Sequence, residues 1–218
     1  MKKIFYVLVL GMVLGLASPV FAQNVMTEMV VISAQAQIGT MTMVNYVSGK
    51  NFRMENYKGQ GDQKTLQSVM IAKDGFMWML TPAQKSGMKM ALNSPMSGQK
   101  DSGKPQETSW AKVMEEQKAK GLTVTNRGKE KWEGQEYEVW RVVQKDGTYV
   151  DYYLEKNQMV KRFVFYNAKG QMQQDMRVIK YEALKALPAG ALDIPSDYKI
   201  MDMSQMKMPG MGGGNGKP

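Results

Sequence analysis

The 218-residue chain has 29 basic and 20 acidic residues, 22 methionines, and neither histidine nor cysteine. Without histidine, Ser-His-Asp catalysis and imidazole zinc ligands are excluded, and without cysteine no disulfide can form. The net charge of +9 favours an acidic partner or an anionic membrane surface, although basic residues spread along the chain are also typical of simple solubility. We therefore expect a protein that is not an enzyme and needs no cofactor.

The N-terminus is typical of a cleaved secretory signal. Lys2 and Lys3 precede an apolar run over residues 4–16, and a small-residue pattern ends at Ala22. The run of about 13 residues is shorter than the roughly 20 that span a bilayer. We expect residues 1–22 to be removed and the mature protein to be a soluble periplasmic monomer without a lipid anchor. Nucleic acid is not an expected partner there.

Residues 23–203 are expected to form one domain. Short runs with strand composition follow one another at hairpin spacing. The clearest turn signals are the pairs Asp74-Gly75 and Asp146-Gly147, because these residue types tolerate positive φ in two-residue turns. We count about eleven strands in meander order, which predicts a mainly β, antiparallel fold.

One segment departs from the strand pattern. Within Glu107 to Lys120, apolar and amide side chains recur at the i, i+3, i+4, i+7 spacing of an amphipathic helix, followed by Gly121. A polar loop over residues 93–105 precedes the helix and is predicted to be disordered, with a functional lid as the alternative. A short helical turn is expected near residues 183–187. The Met- and Gly-rich tail over residues 204–218 is predicted to be disordered.

Both faces of the predicted hairpins are apolar. A two-residue turn at Asp74-Gly75 places two sets of apolar residues on opposite faces of the sheet. One face carries Met70, Ala72, Met77 and Met79, and the other carries Val69, Ile71, Phe76, Trp78 and Leu80. The same turn type at Asp146-Gly147 separates Val139, Val143, Val150, Leu154 from Trp140, Val142, Tyr149, Tyr153. One helix of roughly 20 Å cannot cover both faces. The sheet therefore encloses a cavity, binds a ligand or packs on a second layer.

Four segments together resemble LolA-like exported domains: VSGKNFRMENY (47–57), IAKDGFMWMLTPAQK (71–85), YVDYYLEKNQMVKRF (149–163) and DIPSDYKIMDM (193–203). The resemblance implies a half-open barrel, in which a strongly curved antiparallel sheet is closed by one main helix and short helical turns. In the carriers of that family the hydrophobic hollow holds acyl chains. Those carriers begin with a helix, whereas Val25 to Ile32 here reads as a strand.

The first functional hypothesis is a periplasmic carrier for a lipid or a lipoprotein acyl chain. Unbranched thioether side chains adapt to varied apolar partners, although filling an irregular core explains methionine equally well. The candidate lining residues are Met70, Met77, Met79, Trp78, Phe163 and Phe165. Arg53 and Arg162 are the candidate partners of a lipid head group.

Two alternatives remain open. Thioethers are soft ligands for Cu(I) or Ag(I), and the C-terminal segment offers Met201, Met203, Met206, Met208 and Met211. The second alternative is a sensor or interaction module of an envelope-stress pathway, since the same half-barrel is used in such proteins. Carboxylates at alternating strand positions are expected to form a solvated rim and not an acid/base pair: Glu136, Glu138, Asp151 and Glu155.

Overall fold

The computed structural model describes residues 24–34, 39–92 and 110–203. The predicted signal segment, the polar loop over 93–105 and the tail from Ser204 lie outside these residues. The strands are β1 Asn24–Ser33, β2 Thr40–Ser48, β3 Asn51–Lys58, β4 Thr65–Lys73, β5 Phe76–Thr81, β6 Ser86–Ala91, β7 Thr123–Trp132, β8 Gln135–Val143, β9 Tyr149–Leu154, β10 Val160–Tyr166, β11 Met172–Leu184 and β12 Lys199–Asp202. Helix α1 is Trp110–Ala119, and 3-10 turns lie at Gly61–Gln63 and Pro82–Gln84.

All twelve strands belong to one sheet with the order β12-β6-β5-β4-β3-β2-β1-β11-β10-β9-β8-β7. Each hydrogen-bonded pair is antiparallel except β12 with β6, which is parallel. The sheet is curved and unclosed, with one helix in the described part of the chain. The predicted half-open antiparallel barrel is therefore confirmed, with twelve strands where about eleven were expected. Within the described ranges, no helix is both long and apolar enough to cross a bilayer.

The Asp74-Gly75 hairpin forms as predicted. Asp74 and Gly75 have φ of 53° and 78°, the positive values that a type I′ turn requires at both central positions. The turn pairs Met70 with Met79 and Ala72 with Met77. The two apolar sets predicted for this hairpin therefore lie on opposite faces of the sheet.

The register predicted for the second hairpin is wrong by one residue. Val142 pairs with Val150, and Val143 pairs with Tyr149. The cause lies in the loop, where Gly147 has positive φ and Asp146 does not. The Asp146 carboxylate instead accepts hydrogen bonds from the backbone N–H and hydroxyl of Thr148, at 3.0 and 2.7 Å. A longer loop of this kind shifts the pairing by one residue and reverses which side chains share a face.

Helix α1 packs one side against the sheet, as its spacing predicted. Its buried residues are Trp110, Val113, Met114 and Gln117. Gly121, just past the end of the helix, has a φ of 78° and terminates it. The N–H of Gly121 donates to the Lys118 carbonyl at 2.8 Å, and the N–H of Leu122 donates to the Gln117 carbonyl at 3.2 Å. This is a Schellman motif. We call the sheet face that contacts α1 the inner face, and the opposite one the outer face.

The inner face carries the main hydrophobic core. The residues that pack there with α1 include Met29, Met54, Leu154, Phe163 and Met176. These five side chains are among the largest fully buried ones. The centre of the inner face is therefore filled by side chains, and the vacant interior expected from the sequence is not found at this place in the described structure.

The chain itself covers apolar parts of the outer face. The predicted helical turn near residues 183–187 is wrong, because β11 continues to Leu184. The segment that follows turns back over the sheet, and its side chains pack on Val69, Ile71 and Leu80: Leu192, Ile194, Tyr198 and Ile200. This segment consists of turns and irregular backbone and not of helix. Counting only helices therefore underestimates how much apolar surface the chain can cover.

At the other end of the outer face, buried carboxylates pair with arginines between aromatic rings. Asp175 accepts two hydrogen bonds from Arg162, at 2.8 and 3.0 Å, and two from Arg177, at 3.1 and 2.9 Å. Asp151 accepts two from Arg141, both at 2.7 Å. Bidentate pairing of this type satisfies a carboxylate that burial would otherwise destabilise.

Candidate functional site

A continuous row of methionines crosses the inner face of β3, β4, β5, β6 and β12. The directly paired residues are Met54 with Met70, Met70 with Met79, Met79 with Met88, and Met88 with Met201. We call these five residues the thioether row. Because directly opposite residues of paired strands place their side chains on the same face about 5 Å apart, neighbouring thioethers of the row can touch.

Exposure rises along the thioether row from the core to the sheet edge. Met54 is 1% exposed, Met79 37%, Met88 40% and Met201 57%. Beyond Met54 the next partner is Asn45, whose amide donates to the Thr27 hydroxyl at 3.3 Å. The row thus begins at a buried polar pair and ends in solvent at β12.

The exposed end of the thioether row lines an open depression of about 700 Å³. Its lining residues are Ser68, Met79, Leu80, Thr81, Ser86, Gly87, Met88, Lys199, Ile200 and Met201. The depression is a shallow, open concavity and not an enclosed pocket. An apolar floor open to solvent gives a ligand direct access without a conformational change.

A polar row runs beside the thioether row on the same face. Ser68, Thr81, Ser86 and Lys199 each lie two residues along their strand from a methionine of the thioether row. Alternate residues of a strand share a face and are roughly 7 Å apart, and Ser86 pairs directly with Thr81 and with Lys199. Three hydroxyls and one ammonium therefore border the apolar floor.

The depression exists because β12 is held against β6. The N–H of Lys199 donates to the Lys85 carbonyl, and the N–H of Met203 donates to the Lys89 carbonyl, at 2.9 and 2.8 Å. An exposed ion pair joins Lys85 to Asp197 at 2.8 Å. The hydrogen bond between these two side chains raises the pKa of Lys85 and lowers the pKa of Asp197. The charged pair is thus maintained at neutral pH.

The predicted lining residues are only partly brought together. Met70 and Met79 belong to the thioether row, and Met77 is buried beside it, paired with Met90. Trp78 lies on the outer face against the segment 192–200. It cannot share a hollow with those methionines, because alternate strand positions face opposite ways.

The two predicted phenylalanines lie elsewhere on the sheet. Phe163 and Phe165 are on β10, which is separated from β5 by five strands. Phe163 is fully buried and packs against Tyr152, with ring centroids 5.6 Å apart. Phe165 packs on the same core. Neither residue reaches the depression.

The predicted head-group arginines do not border the depression either. Arg53 pairs with Ile71 across the sheet, which places it on the outer face. Its guanidinium is held by Glu55 at 2.7 Å. Arg162 lies on the outer face and is engaged by Asp175. Lys199, which the sequence did not single out, supplies the cation at the depression.

Sequence reasoning also missed Met88 as a lining residue and assigned Met201 only to a metal-binding tail. The alternation of Met88 with Met90 marks one face of a strand, and this signal was available. The parallel pairing of β12 with β6 was not, because it joins segments about 110 residues apart and no turn links them. Of the predicted metal ligands, Met201 and Met203 are described, and Met206, Met208 and Met211 lie outside the described residues.

No protein-family model and no curated protein matches the sequence. Solved structures match the fold. An uncharacterized conserved protein from Thermus thermophilus aligns with a TM-score of 0.55 and 12% identity, over 89% of this chain and 96% of that one. MucB aligns with a TM-score of 0.47 and 11% identity, over 86% of this chain. This chain spans 62% of the MucB chain.

A LolA superfamily protein from Nitrosomonas europaea also aligns, with a TM-score of 0.34 and 10% identity, over 82% of this chain and 94% of that one. The chain shares its overall fold with the Thermus thermophilus protein. At these identities the likeness concerns the arrangement of the strands and does not extend to ligands or partners. The function therefore has to be argued from the depression itself.

Proposed function

We propose that this protein is an exported, periplasmic carrier that binds the acyl chain of a lipid or lipoprotein in the depression at β5, β6 and β12. The observation that supports it best is the open apolar floor formed by Met79, Met88 and Met201. Exposed apolar surface that is contiguous, and rimmed by polar groups, is typical of ligand and membrane contact sites. The resemblance of the sequence to LolA-like exported domains agrees with such a role.

The size and chemistry of the depression suit an acyl chain. Covering one side of about eight methylenes contributes on the order of 3 kcal/mol gross, half of the about 0.8 kcal/mol for each fully buried methylene, before the cost of ordering the ligand. Unbranched thioether side chains can adapt to chains of different length or unsaturation. We therefore expect broad selectivity for the apolar chain.

The polar row provides a place for the head group of the same ligand. Lys199 can contact a phosphate or carboxylate, and the hydroxyls of Ser68, Thr81 and Ser86 can donate hydrogen bonds to it. The apolar and polar rows run in parallel, as an amphipathic ligand requires. Arg53 and Arg162 take no part in this arrangement, since both are held on the outer face.

The test is binding of a fluorescent fatty acid, together with native mass spectrometry of protein recovered from the periplasm. Met88→Glu places a charge in the apolar floor and should abolish binding. Met172→Glu is a matched control, because Met172 has the same 40% exposure as Met88 but lies on β11. Equal binding by the two variants, or no lipid bound to the unaltered protein, would contradict the proposal.

A further inference from the structure

Three exposed methionines are direct neighbours on adjacent strands of the sheet. Five large apolar residues are exposed in the described ranges, namely Met79, Met88, Met172, Ile179 and Met201. Three of them are direct neighbours on β5, β6 and β12. Isolated exposed apolar residues are common on proteins and need no explanation. Three adjacent exposed methionines, all with the same donor atom, do need an explanation.

The geometry permits the three sulfurs to converge. Met88 lies between the other two, and the Cα atoms of Met79 and Met201 are two strand spacings apart, about 10 Å. Each side chain has three rotatable bonds beyond its backbone and no branch. The outer side chains can therefore lean over Met88 and present three sulfurs to one ion, with Met70 next in the row as a fourth donor.

Thioether sulfur is a soft ligand and selects Cu(I) among the common biological metals, with Ag(I) as its chemical analogue. The chain contains no histidine or cysteine that could compete for such an ion. Lys199 is the one charged residue among those lining the depression. Its repulsion weakens cation binding, so the neutral three-sulfur site should have moderate affinity.

We propose that Met79, Met88 and Met201 form a Cu(I) site on the folded sheet. This site differs from a metal-binding tail, because two of its ligands lie on strands distant in sequence from the C-terminus and the third is held by β12. Binding adds no redox step, since the ion enters and leaves as Cu(I). The inference goes beyond the proposed lipid function, although both use the same depression.

Substitution by leucine separates the two functions. Replacing the three methionines by leucine keeps the apolar floor but removes the sulfur atoms, so acyl-chain binding should persist while Cu(I) binding is lost. Met88→Glu opposes an acyl chain by its charge and also removes one sulfur, so the leucine variant is the one that separates the two functions. Failure of either proposal is thus visible without the other.

The experiment titrates the full exported chain with Cu(I) under reducing conditions against a chromophoric Cu(I) chelator, and counts bound Ag(I) by native mass spectrometry. We expect one ion per chain. The triple variant Met79→Leu, Met88→Leu, Met201→Leu removes all three ligands and should lose Cu(I) binding, a larger effect than the about 10–100-fold loss caused by changing only the residues that support a metal's ligands. Lys199→Gln should increase affinity.

Two controls locate the site. Met172→Leu removes an equally exposed thioether elsewhere and should leave the affinity unchanged. A variant with Met206, Met208 and Met211 all replaced by leucine tests the tail in the intact chain and should also bind normally. Circular dichroism and the unfolding midpoint verify that each variant is folded. Unchanged binding by the folded sheet variant, loss of binding in the tail variant, or no binding by the unaltered protein would overturn the inference.

Discussion

Gly87 controls the approach of β12 to the sheet, and Gly87→Ala is therefore expected to open the depression at its edge. A Cβ atom at this position would lie 2.6 Å from Leu80 Cδ2, 2.8 Å from the Met79 carbonyl oxygen and 3.1 Å from Ile200 Cδ1. The Gly87 backbone does not have the positive φ that would itself favour glycine. Close packing is thus the reason for glycine here.

The size of the effect follows from what must move. A side-chain carbon of Leu80 can rotate away, but the Met79 carbonyl belongs to the β5–β6 ladder and cannot. Overpacking of this kind typically costs about 1–3 kcal/mol. Relief requires β6 to shift away from the Met79 carbonyl and toward β12, and β12 gives way because only four of its residues pair with β6. We expect a loss of about 2 kcal/mol, which equals about a 30-fold change in an equilibrium constant.

Hydrogen exchange measures this change at defined amides. The N–H groups of Lys199 and Met203, which donate to β6 and its preceding turn, should lose protection by that factor, while amides of β1 and β11 change less. Ser86→Ala alters the neighbouring residue without adding an atom and serves as the control. If Gly87→Ala keeps wild-type protection at both amides and the same urea midpoint, the position of β12 does not depend on the close packing at Gly87.

Three further predictions test the packing and charge assignments. Met114→Ala removes a fully buried side chain between α1 and the sheet and should lower the free energy of urea unfolding by about 2–5 kcal/mol. Glu115→Ala, on the exposed side of α1, should change it little, and equal effects would contradict the assigned helix orientation. Asp175→Asn leaves Arg162 without its buried partner and should lower the free energy of unfolding by about 3 kcal/mol. Glu136→Gln breaks an exposed pair with Lys129 and should have no measurable effect. A stable Asp175→Asn variant would show that the buried pair is dispensable. Burial raises the pKa of Tyr152 to about 12, so from about pH 10 to 12 the unfolded state loses a proton that the folded state keeps, and stability falls by up to about 3 kcal/mol. Tyr152→Phe should flatten this alkaline loss relative to the wild type, and an unchanged slope would be evidence against burial of the hydroxyl.

Local signals were sufficient where a single interaction determines the structure. The pair Asp74-Gly75 determines its turn type because both residues adopt positive φ, and the face of every side chain in that hairpin follows. The i, i+3, i+4, i+7 spacing of apolar and amide side chains in α1 predicted the side of the helix that is buried. In both cases the deciding contacts lie within a few residues of one another.

The second hairpin shows why the same dipeptide can mislead. Asp146 uses its side chain to bind Thr148 and lengthens the loop, a choice that the Asp-Gly pair alone does not reveal. The resulting one-residue shift moved Arg141 opposite Asp151 on the outer face. Sequence reasoning had placed that aspartate only on a solvated rim.

The candidate site was harder to predict because it depends on contacts between distant segments. Met79 and Met88 are near each other in sequence, but Met201 joins them only through the parallel strand β12. The same segment covers the outer face of β4 and β5. Apolar surface counted strand by strand therefore overestimated the vacant interior, and the open surface that remains is confined to one end of the thioether row.

Photo-crosslinking tests most directly whether that surface binds an apolar chain. A fatty acid with a diazirine near its methyl end would be irradiated with the full exported protein, and the adducts mapped by peptide mass spectrometry. We expect adducts on the peptides that carry Met79, Met88 or Met201. Adducts concentrated on β9 and β10 around Phe163, or no specific adduct at all, would contradict this expectation.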